Sequence, residues 1–430
     1  IDIMLENLKS HSPRNNLAQW LCYLETIHTT EIELGLNRIS AVAQRLAIDF
    51  SASQVITVAG TNGKGTTCAF IENAMLANNK SVAVYSSPHI EKFNERLRIN
   101  KVDIDDKALI KAFELIESAR ETISLTYYEF TTLAAFVILT ELRPEFIILE
   151  VGLGGRLDAT NMIDADIAVI TAIDLDHQAF LGDTRELIGF EKAGIMRKDG
   201  LAVLGDVMPP QSIINHAHSI QAKLHTREQQ FTVNAKGDYW QWSFGDTSLS
   251  QLVRTHIPQD NVATALTVLH LLGFELSEIQ VNQLIEQTKV AGRTELFKAD
   301  CDVLLDVAHN PQAARYLAQY LTEHVEKRQY QRVHAVIGML QDKDVTNTLA
   351  PMIELVDEWY VGNLSLPRAA SSDFICAQIK KEMLTQTKLV NCFDNITQAF
   401  KMASQNISEN DLIVVFGSFY TVAEIRRLLL

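Results

Sequence analysis

Residues 60–67 have the types and spacing that bind phosphate. They are Gly60, Thr61, Asn62, Gly63, Lys64, Gly65, Thr66 and Thr67. Glycines let backbone N–H groups close around an anion, Lys64 adds a mobile positive charge, and the hydroxyl of Thr66 or Thr67 can bind Mg²⁺. An apolar run at 55–58 precedes this loop, and a helix-compatible run at 68–76 follows it. The order of strand, loop and helix predicts a site for a nucleoside triphosphate.

The match to the common phosphate-binding loop is incomplete. The glycine expected five residues before Gly63 is Val58. Gly65 follows Lys64 where serine or threonine is usual, so the hydroxyl comes one place late. The alternative interpretation is a glycine-rich turn that binds no ligand. A lysine between two glycines contributes little to packing, which favours phosphate binding.

Polar side chains stand at the ends of three further predicted strands. They are Ser87 and His89 after the strand at 81–85, Glu150 at the end of 146–150, and His177 after 167–170. Ligands of open α/β sheets bind beyond the carboxyl ends of the strands, so these side chains should face the same crevice as Lys64. Glu150, at the tip of an apolar strand, is the predicted ligand of the nucleotide's magnesium. A lone histidine is more often structural than a ligand, but the position of His177 at a strand end makes the two roles about equally expected.

From Arg293 onward the alternation of strands and helices restarts. Further strands are predicted near 303–305, 333–337, 354–356 and 412–416. Helix gives way to glycine near 290–292, so we predict an N-terminal domain at 1–290 and a C-terminal domain at 293–430.

The C-terminal domain also carries polar residues at its predicted strand ends. Asp306 and His309 follow its first core strand, and Lys343 follows the next. If this edge faces the phosphate loop across a cleft, a nucleotide would be clamped between the domains and closure would expel water.

For several stretches the residues alone do not decide between a structural role and a role at the site. The loop at 31–38, with Gly35 between Leu34 and Leu36, is either an ordinary connection between two helices or the cover of a flat ligand. Tyr127 and Tyr128 open a long apolar helix, and core packing explains most such aromatic pairs. Lys192, in a helix that starts near residue 184, would ordinarily be a solvated charge. Residues 201–258 are predicted to alternate short strands and turns, with a hairpin at 239–246.

Composition narrows the functional class. The chain has 430 residues, of which 47% are hydrophobic, and a formal charge of −15. The charge disfavours nucleic-acid binding, and any anionic ligand must be held by local cations such as Lys64, Arg156 and Arg293. The five cysteines are scattered and predict buried apolar residues rather than disulfides or a zinc site. No membrane span is visible, and residues 1–6 do not resemble a secretory signal, so a cytoplasmic protein is expected.

Five ordered motifs together resemble the dihydrofolate synthase/folylpolyglutamate synthase family, relatives of the Mur ligases. The motifs are the phosphate loop at 60–66, Ser86-Ser87-Pro88-His89, the segment 150–161, Glu191-Lys192-Ala193-Gly194-Ile195 and Asp306-Val307-Ala308-His309-Asn310-Pro311. The late hydroxyl of the phosphate loop is the form that this family uses. The resemblance implies an α/β fold, in which a P-loop-containing Mur-ligase-like ATPase domain is followed by a smaller Rossmann-like α/β domain.

The resemblance implies an ATP-dependent ligase that adds L-glutamate to dihydropteroate and to the γ-carboxylate of reduced folates through an acyl phosphate. Members with only the folylpolyglutamate synthase activity share the nucleotide motifs and are the first alternative. A Mur-type ligase of UDP-sugar peptides is the second, although only about fifty residues precede the first strand. A P-loop ATPase switch, from a different class, is the third. A monomer without nucleic-acid or membrane partners is expected.

The resemblance also implies roles for individual residues. Ser87 and Glu150 would bind one Mg²⁺, Glu150 and His177 a second, and Lys192 would be carbamylated. Lys64, Glu150, His177 and Lys192 are the catalytic set. Around the nucleotide, besides residues 60–67, the family uses the positions of Asn261, Arg293, Asp306 and His309. The implied pterin surface comprises Leu34, Gly35, Leu36, Thr126, Tyr128, Asp158 and Ala159, with Tyr128 where the family often has phenylalanine.

Overall fold

A computed structural model describes residues 14–30, 32–383 and 388–430. The N-terminal residues 1–6, on which the expected lack of a signal rests, lie outside this range. The chain up to residue 290 contributes these helices: α1 (Leu17–Leu24), α2 (Asn37–Leu46), α3 (Lys64–Ala77), α4 (Asp106–Arg120), α5 (Tyr127–Leu142), α6 (Gln178–Leu181), α7 (Arg185–Ala193), α8 (Gln211–Ser219), α9 (Gln259–Leu271) and α10 (Glu278–Gln287).

An eight-stranded sheet carries the phosphate loop. Its strands are β1 (Gln54–Ala59), β2 (Val82–Tyr85), β3 (Leu97–Ile99), β4 (Val102–Asp103), β5 (Phe146–Glu150), β6 (Ile167–Ile170), β7 (Leu201–Leu204) and β8 (Lys223–Thr226). The order is β4-β3-β2-β5-β1-β6-β7-β8, and β2, β5, β1, β6, β7 and β8 run parallel. The central strands are mostly apolar because helices cover both faces. Consequently the carboxyl ends of β1, β2, β5 and β6 lie at one edge, as predicted.

A three-stranded antiparallel sheet follows: β9 (Phe231–Lys236), β10 (Tyr239–Phe244) and β11 (Thr247–Val253). The predicted hairpin at 239–246 is therefore confirmed. The prediction of strands and turns throughout 201–258 is wrong in one place, because helix α8 occupies Gln211–Ser219. Only Ile213 and Ala217 of that helix are buried, which leaves its helical periodicity weak in the sequence.

The second part of the chain forms a separate six-stranded sheet. Its strands are β12 (Glu295–Lys298), β13 (Asp302–Leu305), β14 (Val333–Ile337), β15 (Glu358–Gly362), β16 (Leu389–Phe393) and β17 (Leu412–Phe416), in the order β12-β13-β17-β14-β15-β16. The helices of this part are α11 (Pro311–Arg328), α12 (Val345–Leu349), α13 (Ser372–Glu382), α14 (Ile396–Gln405) and α15 (Phe419–Leu429). The strand predicted at 354–356 is wrong, since Val356 closes a helical turn onto Met352 and the strand begins at Glu358. The domain bounds at 290 and 293 stay a prediction.

The pairing and the exposure of the cysteines differ from the sequence prediction. Cys376 in α13 and Cys392 in β16 form a disulfide, because the helix packs on the strand and brings together residues 16 positions apart. The prediction that all five are buried and unpaired is therefore wrong, and Cys22 is exposed as well. Among the described residues, no helix has the length and apolar character that crossing a membrane requires.

Candidate active site

A cavity of about 520 Å³ lies between the carboxyl-end edges of the two large sheets. Twelve of the residues singled out from the sequence line it: Gly60, Thr61, Asn62, Lys64, Ser87, His89, Glu150, His177, Lys192, Arg293, His309 and Lys343. They come from four strand ends and one helix of the N-terminal domain and from the C-terminal domain. The predicted interdomain cleft is thus present, and the cavity is called the reaction cleft below.

The phosphate loop holds its lysine close to the backbone. Lys64 Nζ donates to the carbonyl oxygens of Gly60 at 3.0 Å and Thr61 at 3.2 Å. Burial lowers the pKa of Lys64, and the nearby Glu150 carboxylate opposes that shift. At Gly63, whose φ is 91°, an added Cβ would lie 2.4 Å from Asn261 Oδ1. Glycine at this position therefore lets Asn261 pack directly against the loop.

The loop hydroxyls lie deeper than the lysine. Thr66 and Thr67 are both buried in the first turn of α3 and do not line the reaction cleft. Thr67 Oγ1 is buried without a hydrogen-bond partner among the described residues. A polar atom of this kind at the N-terminus of a helix fits a loop shaped for an anion and its metal.

Three candidate metal ligands converge from neighbouring strands. Ser87 follows β2, Glu150 ends β5 and His177 lies beyond β6. Burial raises the pKa of Glu150, although Lys64 and Arg293 oppose the shift. Burial lowers the pKa of His177 to about 4, so its imidazole is neutral and keeps a free lone pair at pH 7. Within 14–30, 32–383 and 388–430, no cluster of three or more His, Cys, Asp or Glu could hold a metal by itself.

Lys192 is not the solvated charge that its sequence context favours. It is 5% exposed, and its Nζ donates to the carbonyl of Gly60 at 3.0 Å. Burial, helped by the charge of Lys64, lowers the pKa of Lys192 to about 7. Near neutral pH about half of this amine is therefore uncharged, whereas an exposed lysine is almost entirely protonated.

The C-terminal domain meets the phosphate loop through polar contacts. Asn62 and Asn310 exchange side-chain amide hydrogen bonds, both at 3.1 Å. His309 donates from Nδ1 to the carbonyl of Val307 at 2.8 Å, which leaves Nε2 directed into the cleft. Asp306 is buried and accepts from the N–H groups of Thr294 and Ala308 at 2.9 and 2.8 Å, so it organises its own loop and does not line the cleft.

Asp176 is the residue that the sequence analysis missed. Lys343 Nζ lies 2.6 Å from its Oδ1, and its Oδ2 accepts from Asn310 at 3.1 Å and lies 3.4 Å from His309 Nε2. Burial raises the pKa of Asp176, but the hydrogen bond from His309 and the charge of Lys343 together lower it by more. The net effect is a lowered pKa, so Asp176 is ionised. Its position beside His177 at a strand end was the available signal. It joins the two domains directly over the phosphate loop.

The cleft is locally positive in an acidic protein. Its lining contains seven Lys and Arg side chains, namely Lys64, Arg96, Lys192, Arg293, Lys343, Arg368 and Arg427, but only three carboxylates, Glu150, Asp176 and Glu424. Arg156, which the sequence analysis placed among these cations, instead pairs with Glu191 at 2.8 Å outside the cleft. The cleft is thus suited to anionic ligands despite the overall charge.

The predicted pterin surface forms a second group beside the cleft. Gly35 N–H donates to the Leu157 carbonyl at 3.3 Å, and Arg38 pairs with Glu129 at 3.1 Å. These contacts bring the loop at 34–36 onto the segment that contains Asp158 and onto the start of α5. Thr126 is the N-cap of that helix. The loop at 34–36, the start of α5 and the segment that contains Asp158 therefore lie together, and Leu36, Tyr128 and Ala159 belong to one apolar cluster.

Within this group, Asp158 is fully engaged by the protein. Its carboxylate accepts backbone N–H groups from Gly152, Leu153 and Thr160 at 2.9 to 3.1 Å, and the Thr160 hydroxyl at 2.7 Å. Tyr128 OH lies 3.4 Å away, and the ring covers Gly152 so closely that an added Cβ would meet it at 2.7 Å. Asp158 fixes the loop, and the exposed part of Tyr128 is the flat apolar surface.

Comparison with known proteins identifies the family. Residues 58–269 match the Mur ligase middle domain, and residues 292–419 match the glutamate ligase domain of Mur ligases. A dihydrofolate synthase/folylpolyglutamate synthase from Haemophilus influenzae is 39% identical over 97% of this chain and 98% of its own length. The chain belongs to the dihydrofolate synthase/folylpolyglutamate synthase family. The predicted family and fold class are confirmed.

Solved structures of this family share the whole architecture. The Escherichia coli protein in complex with DHPP and ADP has a TM-score of 0.91 and 40% identity, covering 97% of this chain and 99% of its own. A bifunctional folylpolyglutamate synthase/dihydrofolate synthase with Mn, AMPPNP and L-glutamate bound has a TM-score of 0.88 and 41% identity, covering 97% of this chain and 100% of its own. Members of the dihydrofolate synthase/folylpolyglutamate synthase family therefore bind a nucleotide, a metal ion, glutamate and DHPP on this fold.

Proposed function

We propose that this protein joins the amino group of L-glutamate to the carboxylate of dihydropteroate, forming dihydrofolate, and to the γ-carboxylate of reduced folates. ATP is converted to ADP and phosphate. One observation carries the proposal: Lys64, Glu150 and His177 of one domain and Arg293 and His309 of the other line a single positive cleft in a chain of this family.

The chemistry follows from the substrate. A carboxylate is a poor electrophile because it cannot expel oxide. Transfer of the ATP γ-phosphoryl group to a carboxylate oxygen gives an acyl phosphate and ADP. The glutamate amine then attacks the acyl carbon, the bond from carbon to the phosphate oxygen breaks, and the amine loses a proton. Both reacting groups are anionic, so Lys64 and the C-terminal Arg293 and His309 would stabilise charge on the phosphates.

The side chains at the strand ends fit magnesium. Ser87 and Glu150 supply the hard oxygen donors that Mg²⁺ prefers, and the neutral His177 supplies a nitrogen lone pair. Ser87 and Glu150 would hold one ion, and Glu150 with His177 a second, as the family implies. When bound, the metal neutralises phosphate oxygens.

Lys192 is proposed to be carbamylated. A neutral lysine amine attacks CO₂ and loses a proton, giving a carbamate that carries a negative charge. Because burial lowers the pKa of Lys192 to about 7, a large fraction of the amine is neutral near physiological pH. A carbamate here would place an anion beside Lys64 and the metal site, and the Lys64 ammonium group would attract it.

Removal of CO₂ is therefore expected to lower turnover, and bicarbonate to restore it. Because the pKa of Lys192 is about 7, the neutral fraction is roughly nine-tenths at pH 8 but only about a tenth at pH 6. Restoration should thus weaken as the pH falls through 7. The measurement is glutamate-dependent ADP release in CO₂-free buffer with and without bicarbonate. Lys192→Arg, which stays protonated, should be inactive in both buffers, and a bicarbonate-independent wild-type enzyme would contradict the carbamate.

The predicted pterin surface would bind the pterin of the acceptor. The loop at 34–36 and Ala159 would enclose dihydropteroate, and the Tyr128 ring would stack on its pterin. Because four protein donors already engage Asp158, its role in this proposal is to hold the loop in place beside the pterin.

Tyr128→Ala is expected to raise the KM for dihydropteroate about tenfold through lost stacking, while the KM for ATP stays within about twofold. Tyr128→Phe should retain the wild-type values, since the ring is kept. Tyr127→Ala is the matched control, because the neighbouring ring packs edge-on against Phe93 at 6.3 Å. Steady-state kinetics with each acceptor provide the test, and a KM for dihydropteroate that stays within about twofold of the wild-type value would count against the pterin assignment.

One assay separates the competing functions. Purified protein is given ATP, Mg²⁺ and labelled glutamate, with dihydropteroate or tetrahydrofolate supplied separately. Incorporation with both acceptors supports the bifunctional enzyme, and incorporation with tetrahydrofolate alone supports a folylpolyglutamate synthase. ATP turnover that requires neither glutamate nor an acceptor would overturn the proposal in favour of an ATPase switch.

A further inference from the structure

A second cavity, of about 580 Å³, opens beside the reaction cleft. Ser87, Glu150, Arg293 and Phe419 line both cavities, so the two are continuous at the point where the acceptor carboxylate must react. We call the second cavity the side groove and define it by the three lysines on its rim, Lys92, Lys101 and Lys289.

The carboxylates of the side groove are largely engaged. Arg98 pairs with Glu72 at 2.8 Å, and Arg426 pairs with Glu91. Glu95 accepts the backbone N–H groups of residues 90, 91 and 92 at 2.7 to 2.9 Å. Glu150 belongs to the proposed metal site.

The remaining carboxylate of the groove, Asp103, lies opposite Arg98 in the β3–β4 ladder. Burial raises the pKa of Asp103, and the charges of Arg98 and Lys92 oppose that shift. Among the described residues, no acidic side chain of the groove forms an ion pair with a lysine of its rim.

The three lysines are exposed, and none makes an ion pair with a described residue. They come from separate elements: Lys92 precedes the 3₁₀ turn Phe93–Arg96, Lys101 lies in the turn between β3 and β4, and Lys289 follows α10. Three unpaired ammonium groups around one groove form a site for a ligand with several separated anionic groups.

The proposed acceptors differ in length, and only some of them carry such groups. Dihydropteroate has a single carboxylate, on its aromatic ring. Each glutamate joined through its γ-carboxylate adds a free α-carboxylate. It also lengthens the extended chain by more than the roughly 3.5 Å of an ordinary peptide residue, because the γ-link has two more bonds. The pterin surface and the phosphate loop are a fixed distance apart, so acceptors of different length cannot all span them in the same way.

We propose that the side groove binds the oligo-γ-glutamyl chain of folate acceptors, with Lys92, Lys101 and Lys289 pairing with its α-carboxylates. This inference rests on the proposed function. The terminal γ-carboxylate lies in the reaction cleft at Glu150 and Arg293, and the preceding glutamates run outward past the lysines. Dihydropteroate, which has no glutamyl chain, does not use the groove.

The test compares acceptors of increasing length in the full-length enzyme. The triple variant Lys92→Glu, Lys101→Glu, Lys289→Glu is assayed with dihydropteroate and with tetrahydrofolate carrying one, three or five glutamates. The KM should change less than about twofold for dihydropteroate and rise about tenfold for the triglutamate, because several exposed ion pairs each contribute a small factor. The rise should increase with chain length and decrease with added salt. Lys223→Glu is the matched control, since this exposed lysine lies on β8 at the opposite edge of the sheet.

Three outcomes would overturn the inference. Equal KM changes for all acceptors, or none for any, would exclude recognition of the glutamyl chain. A raised KM for free L-glutamate with every acceptor would instead assign the groove to the incoming amino acid. Failure of the proposed function is distinguishable, because the wild-type enzyme would then show no glutamate incorporation with any acceptor.

Discussion

Replacing Lys64 by alanine is expected to reduce glutamate-dependent ADP release by about 10³-fold or more with either acceptor. The lysine is half-buried in the phosphate loop, where its Nζ donates to the carbonyls of Gly60 and Thr61. A bound triphosphate would supply the charge that stabilises the buried ammonium group, and that ammonium would in turn stabilise the transferring phosphoryl group. The measurement is ADP release with dihydropteroate and with tetrahydrofolate.

The loss should not reflect unfolding. Lys64→Ala leaves two loop carbonyls without this donor, which costs about 1 to 3 kcal/mol per unsatisfied group, but it also removes a buried charge. We therefore expect a small change in Tm. Lys80→Ala is the matched control: this lysine follows α3, and its pair with Glu145 is exposed. A Lys64→Ala enzyme with more than about a tenth of wild-type turnover would contradict a role in phosphoryl transfer.

Glu150→Gln is expected to lower turnover by a similar factor, about 10³-fold, because the amide keeps the shape of the side chain but loses the charge that binds metal. The same substitution should stabilise the fold at neutral pH. Burial raises the pKa of Glu150 above its unfolded value, so the folded state binds the proton more tightly than the unfolded state. Stability is therefore lost as the pH rises through the folded pKa, and the neutral amide avoids this loss.

Thermal unfolding and ADP release measured on the same samples test both parts. Glu145→Gln is the control, because this carboxylate lies just before β5 and pairs with Lys80 on the surface. A variant that is inactive but has a raised Tm is the expected result. A lowered Tm would show that the carboxylate supports the fold rather than the chemistry, and retained activity would remove Glu150 from the proposed metal site.

Much of the N-terminal fold could be predicted from local sequence. The strands at 146–150 and 167–170 have the bounds predicted for them, because short, uninterrupted apolar runs are flanked by turn residues. The order of phosphate loop and helix was predicted for the same reason. These features depend on neighbours in the chain, and local preference is sufficient to specify them.

Other elements could not be predicted in this way. Strand β12 is an edge strand with mixed polarity, and β15 begins four residues beyond the start of the predicted run because Leu355 and Val356 are apolar but end a helical turn. The disulfide between Cys376 and Cys392 requires a helix to lie on the neighbouring strand. Cysteine spacing alone carries no information about that packing.

The sequence by itself determined which functional groups this protein can use and where along the chain they lie. They are a phosphate loop with its lysine, a carboxylate and a histidine at strand ends, and a second α/β unit with its own polar edge. Only the tertiary structure decided which charges act. Lys192 became a buried amine with a lowered pKa, Asp176 came to bind Lys343 from 167 residues away, and three scattered lysines came to surround one groove. The reason is that residue type and local preference are properties of a few adjacent residues, whereas burial and charge partners are set by segments that meet only when the chain folds.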